Sequence, residues 1–370
     1  FEHMMFNGSA KFPPKSLDRI IEASGGSSNA FTTTDTTEYT QEVVSSQIDK
    51  VIAIETDRMR SLLINTSNLE QERAIVKEER RASVEDQVES AMNELLWNYA
   101  FVAHPYRWEV VGFMRDLDAI ALQDARDYFR TYYAPNNAVV VLVGDFDTAQ
   151  MMRKLERAYG SIRAQPAPRP VVNAEPLQKG EVRVAYERPA ELPALLIGYK
   201  GASIRSVDDA KLDVLTVVLS SGQSSRLNKT LVYDRRVATE VWAGNDSRLD
   251  PGLVTIYAQV APEQAVADVE KGIDEVLAAI REKGVSAREL QKAKNGLRAS
   301  FVDGFKTNAG IAGMLARYEG LFGDWKRLYD VPRRRDATTR ADVQAMAKKY
   351  LVRSKRTLVE LRPANAGGGN

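Results

Sequence analysis

Apolar residues recur along this chain with two distinct periods. Over 47–65, Ile48, Val51, Ile52, Ile54, Met59, Leu62 and Leu63 fall at helical spacing, and 69–102 carries a longer helical pattern. Both stretches predict helices packed on one face of a sheet. Lys15–Ala23 predicts a short amphipathic helix closed by Gly25-Gly26, and helices are also expected at about 116–133 and 148–159. Asn29–Val44 is rich in Thr and aromatics, the signature of two strands around a turn near Asp35; alone, such a stretch reads as a solvated sheet edge. Ala138–Gly144 is a Val-rich run that predicts a strand buried on both faces.

Beyond Arg163–Lys179, whose Pro166, Pro168, Pro170 and Pro176 give it the composition of an extended linker, the pattern starts again. Strands are expected at about 181–187, 192–199, 237–243 and 253–260. Helices are expected at 207–220, 224–231, 264–282, 286–304 and 308–322, and a helix–strand pair at 340–361. That pair repeats an earlier one. Ala121–Gly144 runs helix, Tyr-Tyr-Ala-Pro-Asn-Asn, strand, while Thr339–Leu361 runs helix, Lys-Tyr-Leu-Val-Arg-Ser-Lys, strand. Two copies of one α+β unit are implied, with domains at 1–162 and 181–365, a linker at 163–180 and a flexible tail at 366–370. The second copy places two strands ahead of its first long helix, and the first begins inside a helix. By symmetry, roughly 40–60 residues holding a strand or two are expected ahead of Phe1.

Composition narrows the function classes. With 370 residues, 44% hydrophobic and 27% charged, the chain has ordinary globular proportions, and its net charge of +1 offers no field for nucleic acid. No run of 18 apolar residues could span a bilayer, and the absence of cysteine excludes disulfides and thiolate metal sites.

Only two histidines occur, and one stands in Phe1-Glu2-His3-Met4-Met5-Phe6-Asn7-Gly8, which reads as the tail of a helix stopped by a glycine turn. Adjacent Glu-His on a helix is the second half of the inverted zinc signature H-x-x-E-H; its first histidine would be the second residue upstream of Phe1. Farther on, Glu72 and Glu79 are seven apart and so lie within about 20° of one helical face, while Glu78 points elsewhere. A Glu72-Arg73 pair would otherwise be an ordinary solvated helix face. His104, in His104-Pro105-Tyr106, reads as a structural or substrate-lining histidine, with a displaced metal ligand as the alternative.

Together these features resemble the M16 family of zinc peptidases, the inverzincins, across nearly the whole chain. The carriers are Glu2-His3 with Glu79 seventy-six residues later, the flanking Met-Met-Phe-Asn-Gly, Asn29-Ala30-Phe31-Thr32, His104-Pro-Tyr and the repeated architecture. The resemblance implies an α+β fold of two homologous LuxS/metallohydrolase-like domains, each a mostly antiparallel sheet packed with helices. It implies one Zn2+ held by His3, Glu79 and the upstream histidine, with the metal bringing the pKa of a bound water to around 7. Glu2 would be the general base and Glu72 a supporting carboxylate behind the ligands. Asn29, Ala30, Phe31 and Thr32 match the family's edge strand, to which an extended peptide adds as another strand.

One departure matters. Self-sufficient members carry in the second domain an Arg and, seven residues later, a Tyr that bind substrate and stabilise the oxyanion; here Val232 and Thr239 stand at those places. Arg235 or Arg236 could serve after a register shift, but the Tyr would still be missing. The expectation is therefore a metalloendopeptidase active as a heterodimer, cleaving short or unfolded polypeptides in a closed chamber whose Arg/Tyr half comes from a related M16 subunit. The rival is a non-catalytic structural subunit like the respiratory core proteins that share the fold. By the same resemblance, location is expected in the bacterial periplasm, with the cytoplasm as alternative.

Overall fold

A computed structural model describes residues 1–364; the expected tail at 366–370 lies outside the described residues, as does residue 365. From the N-terminus come a 3₁₀ turn (Glu2–Phe6), α1 (Ser16–Ala23), β1 (Ser27–Thr32), β2 (Thr37–Glu42), α2 (Ile48–Ser61), α3 (Thr66–Arg80) and α4 (Val88–Ala100). Then follow α5 (Met114–Ala119), α6 (Leu122–Tyr132), α7 (Thr148–Tyr159), β3 (Val182–Arg188), β4 (Ala194–Lys200), α8 (Asp209–Ser220), β5 (Ala238–Asp246) and β6 (Leu253–Val260). The remainder is α9 (Val266–Lys283), α10 (Ala287–Asp303), α11 (Asn308–Phe322), α12 (Asp330–Ala337), α13 (Arg340–Tyr350) and β7 (Arg356–Pro363). The fold is α+β, as expected.

Two compact units result, and they follow packing rather than chain order. The first takes Phe1–Ala82, Val110–Val171 and Gly304–Trp325; the second takes Ser83–Glu109, Val172–Asp303 and the chain from Lys326. The division at 163–180 is thus crossed twice, by α4, which joins the second unit, and by α11, which joins the first.

The second unit is a five-stranded sheet of order β3-β7-β4-β6-β5, in which only β3–β7 is parallel. Its central strand β4 is buried on both faces. Leu195, Ile197 and Tyr199 pack with Leu212 and Leu215 of α8, Ile273 of α9 and Val343 of α13, while Ala194 and Leu196 pack with Met92, Leu96 and Trp97 of α4. Alternation with period two feeds both cores at once, and each fully buried Leu or Ile contributes about 1.5–3 kcal/mol. Gly198 lets α4 come close: a Cβ there would meet Leu96 Cδ2 at 3.0 Å. At the start of β7, the fully buried Arg356 is met by Glu181, Glu270 and Asp274, the last at 2.9 Å.

In the first unit the sheet is the two-stranded β1–β2 hairpin, paired from Ser27↔Glu42 to Thr32↔Thr37. Four expectations need correction. The pattern over 69–102 is not one helix: α3 runs into a π turn at Arg81–Glu85, and the extended Gln87 (ψ 116°) separates it from α4. Likewise 116–133 is split at Ile120 (ψ 116°), and α6 restarts where the Asp124 carboxylate accepts from the Ala121 N–H at 2.8 Å. Of α2 and α3, only α2 meets a sheet face, where Glu55 and Arg58 reach Gln41 and Tyr39 of β2; α2 also packs on α7, and α3 packs on α5 and the 3₁₀ turn instead. Finally, 138–144 is not a buried strand. No strand lies beside it among the described residues, so it has no ladder, and Val139 and Val140 are 44% and 48% exposed.

Candidate metal centre

Phe1–Gly8 is pinned by its apolar residues. Met4 and Met5 are buried, and Met4 packs between Leu69 of α3 and Ala125 of α6. The geometry is 3₁₀, with the Met4 N–H on Phe1 O at 2.9 Å and the Asn7 N–H on Met4 O at 3.2 Å, where an α-helical tail was expected. Gly8, at φ +82°, closes the turn; a Cβ there would lie 2.6 Å from Pro14 N. Burying Met4 and Met5 in this way turns His3 toward α3.

Helix α3 begins at Asn65, whose side chain accepts from the Asn68 N–H, and turns its Glu72–Glu79 face to His3. His3 Nδ1 lies 3.2 Å from Glu72 Oε2, and Nε2 lies 3.2 Å from Glu79 Oε2. The ring therefore sits between two carboxylates, one on each nitrogen. Glu72 is buried, and its other oxygen accepts from Asn7 Nδ2 at 2.9 Å. Glu78 faces away and pairs with Arg81 at 2.8 Å.

Two oxygen or nitrogen ligands about 2.05 Å from a tetrahedral zinc stand about 3.3 Å apart. The 3.2 Å between His3 Nε2 and Glu79 Oε2 matches that separation. On the far side, a carboxylate on Nδ1 is the usual arrangement behind a metal-binding imidazole, because it holds the proton on that nitrogen and leaves the Nε2 lone pair free. Among the described residues, no group of three or more His, Cys, Asp or Glu side chains is set to hold a metal ion. Glu72 faces the opposite nitrogen from Glu79, which leaves His3 and Glu79 as two converging donors. The residues present fit two of the three protein positions of a catalytic zinc.

Glu2 lies on the other flank. Its Oε2 accepts from the Thr32 hydroxyl at the end of β1, which brings the Asn29–Thr32 strand to the same site. Asn29, Ala30, Phe31 and Thr32 pair with Thr40, Tyr39, Glu38 and Thr37, and the other edge of β1 has no strand beside it among the described residues. Behind the hairpin, the Tyr39 and Tyr133 hydroxyls meet at 2.7 Å, with the Arg58 guanidinium 4.6 Å above the Tyr39 ring. Burial pushes both phenols up, Tyr133 to about 12, so both stay neutral. Neither Asn7 nor the Thr32 side chain has a part in the site expected from sequence, where Asn7 stands only within Met-Met-Phe-Asn-Gly, ahead of the stopping glycine.

His104 is a buried residue of the second unit. Its Nε2 faces Asp250 Oδ2 at 3.1 Å and its Nδ1 accepts from the Tyr106 N–H at 3.1 Å, so neither nitrogen is free for a metal. Val232 is packed against the second unit's core, and Thr239 is exposed on β5 with its hydroxyl 3.1 Å from Gln259 Oε1. Arg235 pairs with Glu275.

Residues 1–112 match the family model described as insulinase (peptidase family M16), and 119–297 match the one described as the peptidase M16 inactive domain. Zinc protease PqqE of Helicobacter pylori is 28% identical over 366 residues, covering 98% of this chain and 82% of that protein. The crystal structure of a protease from Helicobacter pylori superposes with a TM-score of 0.93 at 27% identity, over 98% of this chain and 88% of that one. A peptidase M16 inactive domain from Pseudomonas fluorescens shares the fold, with a TM-score of 0.85 at 21% identity over 99% and 88% of the two chains. Two family models in succession, and relatives named as zinc proteases aligned along almost the full chain, make this protein a member of peptidase family M16.

Proposed function

We propose that this chain is the zinc-bearing subunit of a heterodimeric endopeptidase that cleaves short or unfolded polypeptides. The observation that carries this is the His3 ring held between Glu79 and Glu72, with the Glu2 carboxylate beside it. His3 Nε2 and Glu79 would hold the metal, with a histidine two residues ahead of Phe1 as the third ligand that the family resemblance implies. A zinc ion there supplies Lewis acidity.

The chain's own residues do the rest. Glu72 keeps the proton on His3 Nδ1, and Asn7 holds Glu72 in place. Glu2 takes the proton of the attacking water on its carboxylate and returns it to the leaving amine. The open edge of β1 hydrogen-bonds the peptide as an added strand, so that backbone rather than side chains is read over Asn29–Thr32. Val232 and Thr239 offer neither a guanidinium nor a phenol to a developing oxyanion, and a related M16 subunit would supply them from across a closed chamber.

The test is to measure zinc content and peptide hydrolysis for the protein with its natural N-terminus, alone and with the partner subunit. Stoichiometric zinc with turnover only in the pair is expected. Full turnover by the isolated chain overturns the division of labour, and absence of zinc overturns the catalytic reading in favour of a structural subunit. Glu2→Gln is expected to retain zinc and lose turnover, because an amide cannot accept the proton.

A further inference from the structure

The base and the peptide-receiving strand meet in one residue. Thr32 donates its hydroxyl proton to Glu2 Oε2 and stands 3.2 Å from Thr37 Oγ1, its register partner across the β1–β2 ladder. A threonine hydroxyl has one proton to give and lone pairs to receive another. With the Thr32 proton committed to the carboxylate, Thr32 can only accept at this contact, and the Thr37 hydroxyl, which also meets the Tyr133 phenol, is the group placed to donate to it. Both threonines lie in strands, where a β-branched side chain has few rotamers, so the backbone of the hairpin aims the hydroxyl. Glu2 sits in a 3₁₀ turn 30 residues away, and Thr32 is the side chain that ties its carboxylate to the hairpin. One carboxylate oxygen is thereby fixed and Oε1 is left for the water.

We propose that Thr32 is a positioning residue for Glu2: its hydroxyl, backed by Thr37, sets the carboxylate's orientation, while its backbone belongs to the strand that a peptide joins. This inference rests on the peptidase reading above.

The experiment compares Thr32→Val and Thr32→Ser in the zinc-loaded protein assayed with its partner subunit. Zinc affinity of each is measured by chelator competition, and peptide affinity in a Glu2→Gln background that does not turn over. Valine keeps the branched shape and loses the hydroxyl. It is expected to lower kcat by about tenfold to a hundredfold, part of the 10²–10⁴ that a placed base contributes, with KM, zinc affinity and peptide affinity within about twofold of the parent. Serine restores most of kcat. A rise in KM with kcat unchanged makes Thr32 only a segment of the peptide strand and overturns the proposal, as does unaltered kcat or loss of zinc. Hydrolysis by Glu2→Gln as fast as by the parent, or none by the parent, overturns the peptidase reading itself, a result distinct from failure of Thr32 alone.

Discussion

Replacing Glu72 by Gln is the sharpest probe of the centre, because it keeps the side chain's shape and changes only what its two terminal atoms can accept. In the parent, Oε1 accepts from Asn7 Nδ2 at 2.9 Å and Oε2 faces His3 Nδ1 at 3.2 Å. Glutamine has one acceptor oxygen and one NH2, so it cannot accept from both donors as they stand in the parent. Glu72 is buried, and a buried group left without its partner costs about 1–3 kcal/mol. If the amide turns its oxygen to Asn7, the His3 ring loses the group that holds its proton on Nδ1. If it turns the oxygen to His3, Asn7 keeps a partner only by turning its own amide over to present Oδ1 to the new NH2. Loss of such a carboxylate behind a metal-binding imidazole weakens zinc by 10–100-fold, about 1.4–2.7 kcal/mol. The assay is competition with a chromophoric zinc chelator on the protein with its natural N-terminus, alongside urea unfolding without metal. The double variant Asn7→Asp with Glu72→Gln adds an internal check, since the introduced carboxylate can accept from the introduced amide and free the amide oxygen for His3. It is expected to return zinc affinity to within about threefold of the parent. Parental zinc affinity in folded Glu72→Gln refutes the role of Glu72, and a double variant no better than the single one refutes the Asn7 link.

Two predictions concern the scaffold. In Gly198→Ala the new methyl meets Leu96 Cδ2 at 3.0 Å and Leu253 Cδ1 at 3.2 Å, and the overpacking should cost about 1–3 kcal/mol in urea unfolding; an unchanged midpoint would mean that α4 does not press on β4 there. At Glu181, burial works to raise the pKa, but hydrogen bonds from Arg183, Arg356 and Arg353 outweigh it and hold the carboxyl at about 2. A folded pKa below the unfolded one contributes stability that is whole above the ordinary glutamate value and is lost as pH falls toward 2. Urea midpoints measured from pH 5 to pH 2 should therefore fall less steeply in Glu181→Gln than in the parent, and parallel curves would refute the assignment.

The second unit was legible in the sequence almost strand by strand, because each of its elements carries a local period and sits between recognisable turns. The seven-residue spacing that puts Glu72 and Glu79 on one face of α3 is local in the same sense, as is the Glu2-His3 pair, and the family resemblance joined the two. Other features depended on what the rest of the chain places nearby. The helical period of 69–102 carries no signal that its last third, from Met92 to Ala100, will leave α3 and cover the sheet of the other unit; that depended on Gly198 leaving room for Leu96. The valines of 138–144 have strand propensity, but a strand exists only where a neighbour offers hydrogen bonds, and none does among the described residues. The site shows the same limit. That Asn7 would steady Glu72 across 65 residues, and Thr32 hold Glu2 across 30, appears in no spacing or period. Sequence by itself was enough to nominate the groups proposed for the chemistry and the face of its own element that each occupies; the tertiary structure alone decided which oxygen meets which donor, because hydrogen bonds act over about 3 Å and only the packed chain brings distant residues that close.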